Sequence, residues 1–180
     1  MPAEEGSRND SRDYDHVRWC RLPMSQGATA SELVLSEQVG GRVLMLFDGL
    51  CGLCNSAVQW VIQRDHADRF RFAPLQSELA AAILRRHGID RETMIKGNTV
   101  YLVLDAGSEH QRLLTRSDVT INMLCLLGGR WRVLGYLLRA VPGFVRNAAY
   151  EMFARNRYRL TGRYEVCPLP TDAERMKFIC

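Results

Sequence analysis

Two cysteines three residues apart, Cys51 and Cys54, have the clearest chemistry of any residues in this chain. They stand in Leu50-Cys51-Gly52-Leu53-Cys54, just after the apolar run Val43-Leu44-Met45-Leu46-Phe47 and the turn residues Asp48-Gly49. Beyond them Ala57, Val58, Val61 and Ile62 recur at helical spacing as far as Asp65. A Cys-x-x-Cys pair at such a strand-to-helix junction meets outward-pointing helix N–H groups and the positive end of the helix dipole. Both favour thiolate over thiol. A free cysteine has a pKa near 8.5, and motifs of this kind lower it to about 3.5–7.5. Cys51, nearer the helix start, is expected to be the more acidic and more exposed thiol and to attack a substrate disulfide. Cys54, on the same helix face, would resolve the mixed disulfide. Gly52-Leu53 is small and uncharged and adds little electrostatic stabilisation.

Other readings of the pair stay open at this level. Half a zinc site lacks its second half, since Cys20, Cys125, Cys167 and Cys180 are solitary and His16, His66, His87 and His110 form no ligand pattern. Two buried structural cysteines are conceivable, although the Gly-flanked junction argues against them. An apolar strand ending in Asp48 also fits the nucleophile of haloacid-dehalogenase-like phosphotransferases, but those carry a second Asp two residues on, where this chain has Leu50. Asp48 itself reads either as a turn or cap residue or as the carboxylate that takes the Cys54 proton during resolution. Its charge would raise the Cys51 pKa, against the dipole. The candidate site is therefore Cys51, Cys54 and Asp48, with no metal and no bound organic cofactor expected.

The elements that must hold this site follow from the pattern. Val43–Phe47 reads as a strand buried on both faces. Phe70, Phe72 and Ala73 suggest a second strand ended by Pro74; Ser77-Glu78 starts a helix that Gly88 stops. Thr99–Leu104 and Gln111–Thr115 form a hairpin around Asp105-Ala106-Gly107-Ser108. A helix capped by Ser117 or Asp118 runs to Leu127, and Trp131–Val141 and Gly143–Tyr158 are two more, split by Pro142. The fold class is α/β: a thioredoxin-like β-α-β-α-β-β-α core with a C-terminal helical extension. The expected organisation is a mobile N-terminal extension over 1–40, the core over 41–129, and a basic helical extension and tail over 130–180 packed on the core. Trp60, Trp131, Tyr136, Phe144, Tyr150 and Phe153 are most simply core.

Of the 180 residues 47% are hydrophobic and 24% charged, a globular balance that excludes collagen-like, mucin-like or wholly disordered chains. The longest stretch without a charged residue, Gly49–Gln63, has 15 residues, short of the roughly 20 apolar residues that span a bilayer. Glu4 and Glu5 open a segment without a signal or transit pattern, so the expected location is cytoplasmic. Six cysteines are too few for a disulfide-dense scaffold, and the four scattered ones, Cys20, Cys125, Cys167 and Cys180, suit a reducing compartment. The net charge of +4 is uneven: Arg130–Arg163 holds eight Arg and one acid, Glu151. That stretch either docks an acidic partner or is a solvated helix face; nucleic acid is not an expected partner.

These residues resemble the DCC family of thiol–disulfide oxidoreductases, named for its Asp-x-x-Cys-x-x-Cys motif, here Asp48-Gly49-Leu50-Cys51-Gly52-Leu53-Cys54-Asn55. The likeness continues through Phe70-Arg71-Phe72-Ala73-Pro74-Leu75-Gln76-Ser77, Thr115-Arg116-Ser117-Asp118, Ala154-Arg155-Asn156-Arg157-Tyr158 with Gly162, and Cys167 followed by prolines, over about residues 42–170. It implies a thioredoxin-like fold and a protein-disulfide reductase type of activity, with a disulfide-bearing protein substrate and a thiol reductant for recycling. Two positions depart from the pattern. Arg146 precedes Asn147 where the family often has Asp, so an acidic partner is missing there. Gly97-Asn98-Thr99 stands where thioredoxins present a cis-proline, so the substrate-docking edge is built differently. Arg116-Ser117-Asp118 either lines the dithiol cleft or caps a helix. Arg155, Arg157, Tyr158 and Arg163 either dock a partner or pair with carboxylates within the fold. The alternative function is a non-catalytic interaction or redox-sensing module that docks an acidic partner through its Arg-rich C-terminal helices.

Overall fold

A computed structural model describes residues 38–96, 99–108, 110–162, 171 and 174–179. Strand β1 (Val43–Phe47) leads through helix α1 (Gly52–Ile62) to β2 (Phe70–Pro74). Helices α2 (Glu78–Arg86) and α3 (Arg91–Lys96) precede β3 (Tyr101–Leu104), which turns back into β4 (Arg112–Thr115). Three helices follow: α4 (Ser117–Leu127), α5 (Gly129–Ala140) and α6 (Gly143–Thr161). The sheet order is β2-β1-β3-β4; β1 and β2 are parallel, and β3 is antiparallel to both its neighbours. This is the mixed α/β, thioredoxin-like order expected from the pattern.

Both faces of the sheet are covered, which is why β1 is apolar throughout. Leu44 and Leu46 join Ala73, Tyr101 and Val103 beneath Ala80, Ile83 and Leu84 of α2. Met45 and Phe47 face the other way, with Phe70, Phe72 and Leu102, against Cys54, Val58 and Val61 of α1 and Val119 of α4. Trp60 of α1 meets Trp131 of α5 edge-on, with ring centroids 4.7 Å apart. Ser77 caps α2 as expected, its hydroxyl accepting the Ala80 N–H at 3.2 Å.

Several expectations are corrected. Helix α3 has no sequence precedent, because six residues are too short to show a period; Met94 is its buried anchor. Strand β3 begins at Tyr101 rather than Thr99: the Tyr150 hydroxyl of α6 lies 3.1 Å from Thr99 Oγ1 and accepts the Val100 N–H at 3.2 Å, tying both residues to the helix. Ser117 does not cap α4. Arg116, at φ +55°, precedes the helix without a side-chain cap, and Ser117 Oγ donates to Asn147 Oδ1 instead. Tyr136, Phe144 and Phe153 are not core but exposed on α5 and α6.

The expected N-terminal extension lies outside the described residues up to position 37, while Gln38 and Val39 are helical and Val39 is fully buried beside Leu44. Cys20, Cys167, Cys180, Arg163 and Gly97-Asn98 also lie outside the described residues. At the other end Phe178 forms a parallel bridge with Phe72, and Ile179 N–H donates to Phe72 O at 2.8 Å, so the tail covers the edge of β2.

Candidate active site

The chain leaves β1 at Phe47 and must turn within four residues to start α1. Cys51 is the residue before the helix, with extended backbone (φ −90°, ψ 116°), and its Sγ accepts the Cys54 N–H at 3.3 Å. The thiol therefore occupies the position a serine or aspartate cap would take, where orphan helix N–H groups need an acceptor. Asn55 Nδ2 locks the turn by donating to Gly49 O at 2.8 Å and to Cys51 O at 2.9 Å.

Asp48 is buried beneath this turn and accepts four hydrogen bonds. Oδ1 takes the Leu50 N–H at 3.0 Å and Gln76 Nε2 at 2.9 Å. Oδ2 takes Arg157 Nη2 at 3.0 Å and the Tyr158 hydroxyl at 2.5 Å. Gln76, in the turn after β2, also accepts the Gly49 N–H through Oε1 at 3.1 Å. The Arg157 guanidinium lies 4.6 Å from the Tyr158 ring centre, and its Nη1 reaches Cys54 Sγ at 3.7 Å. The side chains of Arg157 and Asp48 are 5% and 9% exposed, so this ion pair is withdrawn from solvent.

The two thiols are free and electrostatically unequal. Donation from the Cys54 thiol brings the Cys51 pKa down to about 7; burial opposes this, the Cys54 N–H and the Arg157 charge assist, and Asp48 opposes weakly. The same thiol–thiol bond pushes Cys54 up, joined by burial and by the Cys51 charge. Burial, then the bond to Asp48, raises Tyr158 to about 12. Arg157 is raised too: burial works against its charge but is outweighed by Cys54, Tyr158 and Asp48. Cys51 is thus the acidic thiol, as its place at the helix start implied. It is not the more exposed one. Cys51 is 0% exposed and Cys54 6%, because the turn folds Cys51 into the cluster of Met45, Phe47 and Phe72.

The fold brings Cys51, Cys54 and Asp48 together. Asp48 makes no hydrogen bond to either thiol; Arg157 stands between it and Cys54. Of the two readings of Arg157 and Tyr158, pairing with a carboxylate inside the fold is the one observed. Arg155 pairs with Glu151 at 3.6 Å. Asn147, which stands where the family often has Asp, accepts from Ser117 Oγ, and Arg146 pairs with Asp118 on α4 at 2.7 Å. Gln76 has a role that sequence reasoning did not assign: 28 residues separate it from Asp48, and 109 separate Asp48 from Arg157, so no spacing rule joins them. Ser117 and Cys54 both line a cavity of about 490 Å³ between α1, α4, α5 and α6. Among the described residues no group of three or more His, Cys, Asp or Glu is placed to hold a metal ion. No helix among them is long and apolar enough to cross a membrane.

Residues 45–163 match the family model described as DCC1-like thiol-disulfide oxidoreductase. The "Uncharacterized protein YuxK" of Bacillus subtilis (strain 168) is 36% identical over 144 residues, covering 80% of this chain and 98% of that protein. The "DCC family protein At1g52590, chloroplastic" of Arabidopsis thaliana is 34% identical over 128 residues, 71% of this chain and 70% of that protein. No solved structure matches the chain.

Proposed function

We propose, from the premise that this chain belongs to the DCC1-like thiol-disulfide oxidoreductase family, that its Cys51–Cys54 dithiol reduces disulfides carried by protein substrates. The observation that carries this reading is the unequal pair itself: an acidic thiol at a helix start, hydrogen-bonded to a protonated second thiol that touches a guanidinium. The Cys51 thiolate attacks one sulfur of the substrate disulfide and releases the other as a thiolate. Cys54 then attacks the Cys51 sulfur, its proton passing to a released substrate thiolate, and the second substrate sulfur leaves. Arg157 stabilises the Cys54 thiolate as it forms. Asp48, held by four donors, works by anchoring Arg157 rather than by direct contact with the thiol. Cys51 has no exposed surface, so a protein disulfide reaches it only when the residues that cover it shift. A thiol reductant of a reducing compartment, the cytoplasm, then restores the dithiol.

Titration of the chain against glutathione buffers tests the reading. The expected result is one reversible two-electron couple between about −120 and −270 mV, the range of exchange-active dithiols. Turnover of a protein disulfide by the reduced chain should accompany it. Absence of the couple removes exchange chemistry. A couple without turnover favours the redox-sensing alternative, in which the exposed Arg130, Arg139 and Arg159 dock an acidic partner.

A further inference from the structure

Helix α6 packs against both the segment before β3 and the dithiol. Its Tyr150 takes the Val100 N–H there, and its Arg157 reaches Cys54. What α6 leaves beside the dithiol is the cavity of about 490 Å³, within the roughly 300–1,000 Å³ range of small-molecule sites. Its walls are mainly apolar, from Met45 of β1 to Met123 of α4 and Leu138 of α5. Its mouth is apolar too: Val145 and Phe153 line it and are 44% and 51% exposed. The lining reaches Cys54 but not Cys51. Its polar side chains are the hydroxyls of Ser117, Thr120 and Tyr150, the Cys54 thiol, and the guanidiniums of Arg146 and Arg157, with no carboxylate. Arg146 Nε is a buried donor without a hydrogen-bond partner among the described residues. Most of these polar groups are already engaged, Ser117 with Asn147, Tyr150 with Thr99, Arg146 with Asp118 and Arg157 with Asp48, so the space fits a mainly apolar ligand whose acceptor oxygen takes up the Arg146 Nε–H.

We infer that this cavity binds an apolar quinone and that the Cys51–Cys54 dithiol reduces it, an activity beyond exchange with protein disulfides. Of apolar carbonyl compounds, a quinone is the class a dithiol reduces by two electrons. Cys54 sulfur bonds to a ring carbon while its proton passes to the Cys51 thiolate, its hydrogen-bond partner. The negative charge moves to a quinone oxygen beside the guanidiniums. Cys51 sulfur then bonds to Cys54 sulfur, the carbon–sulfur bond breaks, and its electron pair enters the ring as the Cys51 proton passes to the quinone oxygen. One further proton from solvent completes the hydroquinone. The products are the Cys51–Cys54 disulfide and hydroquinone, and the thiol reductant that recycles the disulfide sustains turnover. The inference rests on the dithiol being redox-active.

The probe is duroquinone, whose fully methylated ring forms no lasting thiol adduct. Calorimetry on the full chain carrying Cys51→Ser and Cys54→Ser, which cannot react, is expected to show saturable one-to-one binding. Anaerobic oxidation of the unaltered reduced chain should consume two thiols per quinone, at a rate that saturates over the same concentrations. Ala57→Phe inside the cavity and Ala149→Phe at its exposed mouth should each raise the half-saturating concentration by about tenfold, the effect of overfilling a packed space. Should Ala57→Phe fail to fold, Ala149→Phe decides alone. No binding by the unreactive chain, or a rate that stays proportional to quinone and ignores both substitutions, overturns the proposal. So does binding of diphenyl disulfide but not duroquinone. A glutathione couple without quinone binding sinks this inference alone; quinone binding without the couple sinks the exchange reading and, with it, reduction of the quinone by the dithiol.

Discussion

Cys51 and Cys54 differ by one backbone hydrogen bond, one shared proton and their distance from Arg157, and these differences set their titration. The Cys51 pKa is lowered from 9.0 to about 7 in the folded chain. Its thiolate therefore adds stability above the unfolded value, and that stability is lost as pH falls through about 7. Cys54 is raised, so its contribution holds below its unfolded value and is lost as pH rises past it. Stability of the reduced chain should rise from about pH 7 to 9 and fall beyond. Alkylation by iodoacetamide should modify Cys51, with a midpoint near pH 7, and slowly, because the thiol is covered. Arg157→Leu should move that midpoint up and lower stability by about 3–5 kcal/mol, since Asp48 is left charged and buried. Arg157→Lys should restore part of the stability but not the midpoint, because an ammonium cannot span Asp48 and Cys54 as a guanidinium fork does. A midpoint indifferent to both substitutions would take Arg157 out of the thiolate's surroundings.

At the scale of elements, the position of α5 against α4 depends on one glycine. A Cβ on Gly135 would stand 2.7 Å from Cys125 Sγ and 3.2 Å from both Cys125 N and Ile121 O. The sulfur can rotate away; the backbone atoms cannot. Gly135→Ala gains about 1 kcal/mol of helix propensity on an open helix. Here the overpacking cost of about 1–3 kcal/mol outweighs it, and urea unfolding should show a net loss. A net gain would mean that α5 slides freely on α4. Because Leu138 of α5 walls the cavity, the same substitution should also disturb ligand binding there.

Across the whole molecule, the tail closes what the sheet leaves open. Phe178 meets Phe47 edge-on at 6.2 Å and Phe72 at 5.6 Å. Lys177 lies 3.2 Å from Asp68, which also binds Arg42 and Arg71, and 3.6 Å from Asp65. The chain's last described residues are thereby fastened to the loop that feeds β2. Phe178→Ala should cost about 2 kcal/mol in urea unfolding, less than a fully buried phenylalanine. It should leave the Cys51 alkylation midpoint in place, since no charge near the thiols changes. A shifted midpoint would show that the tail sets the dithiol through Phe47.

Local pattern in the sequence set the doubly buried β1, the turn at Asp48-Gly49, the dithiol at the start of α1 and the order of strands and helices other than α3. Those follow from periods and turn chemistry within a few residues of each position. Tertiary structure alone decided that Asp48 binds Arg157 across 109 residues and that Gln76 completes the carboxylate's shell. It also decided that Cys51 is covered and that Tyr136, Phe144 and Phe153 face outward. Helices α5 and α6 carry apolar and basic residues around their whole circumference, so their pattern names no buried face. Which side packs is set by where α4 and α1 present partners, and that geometry also leaves the cavity open against Cys54.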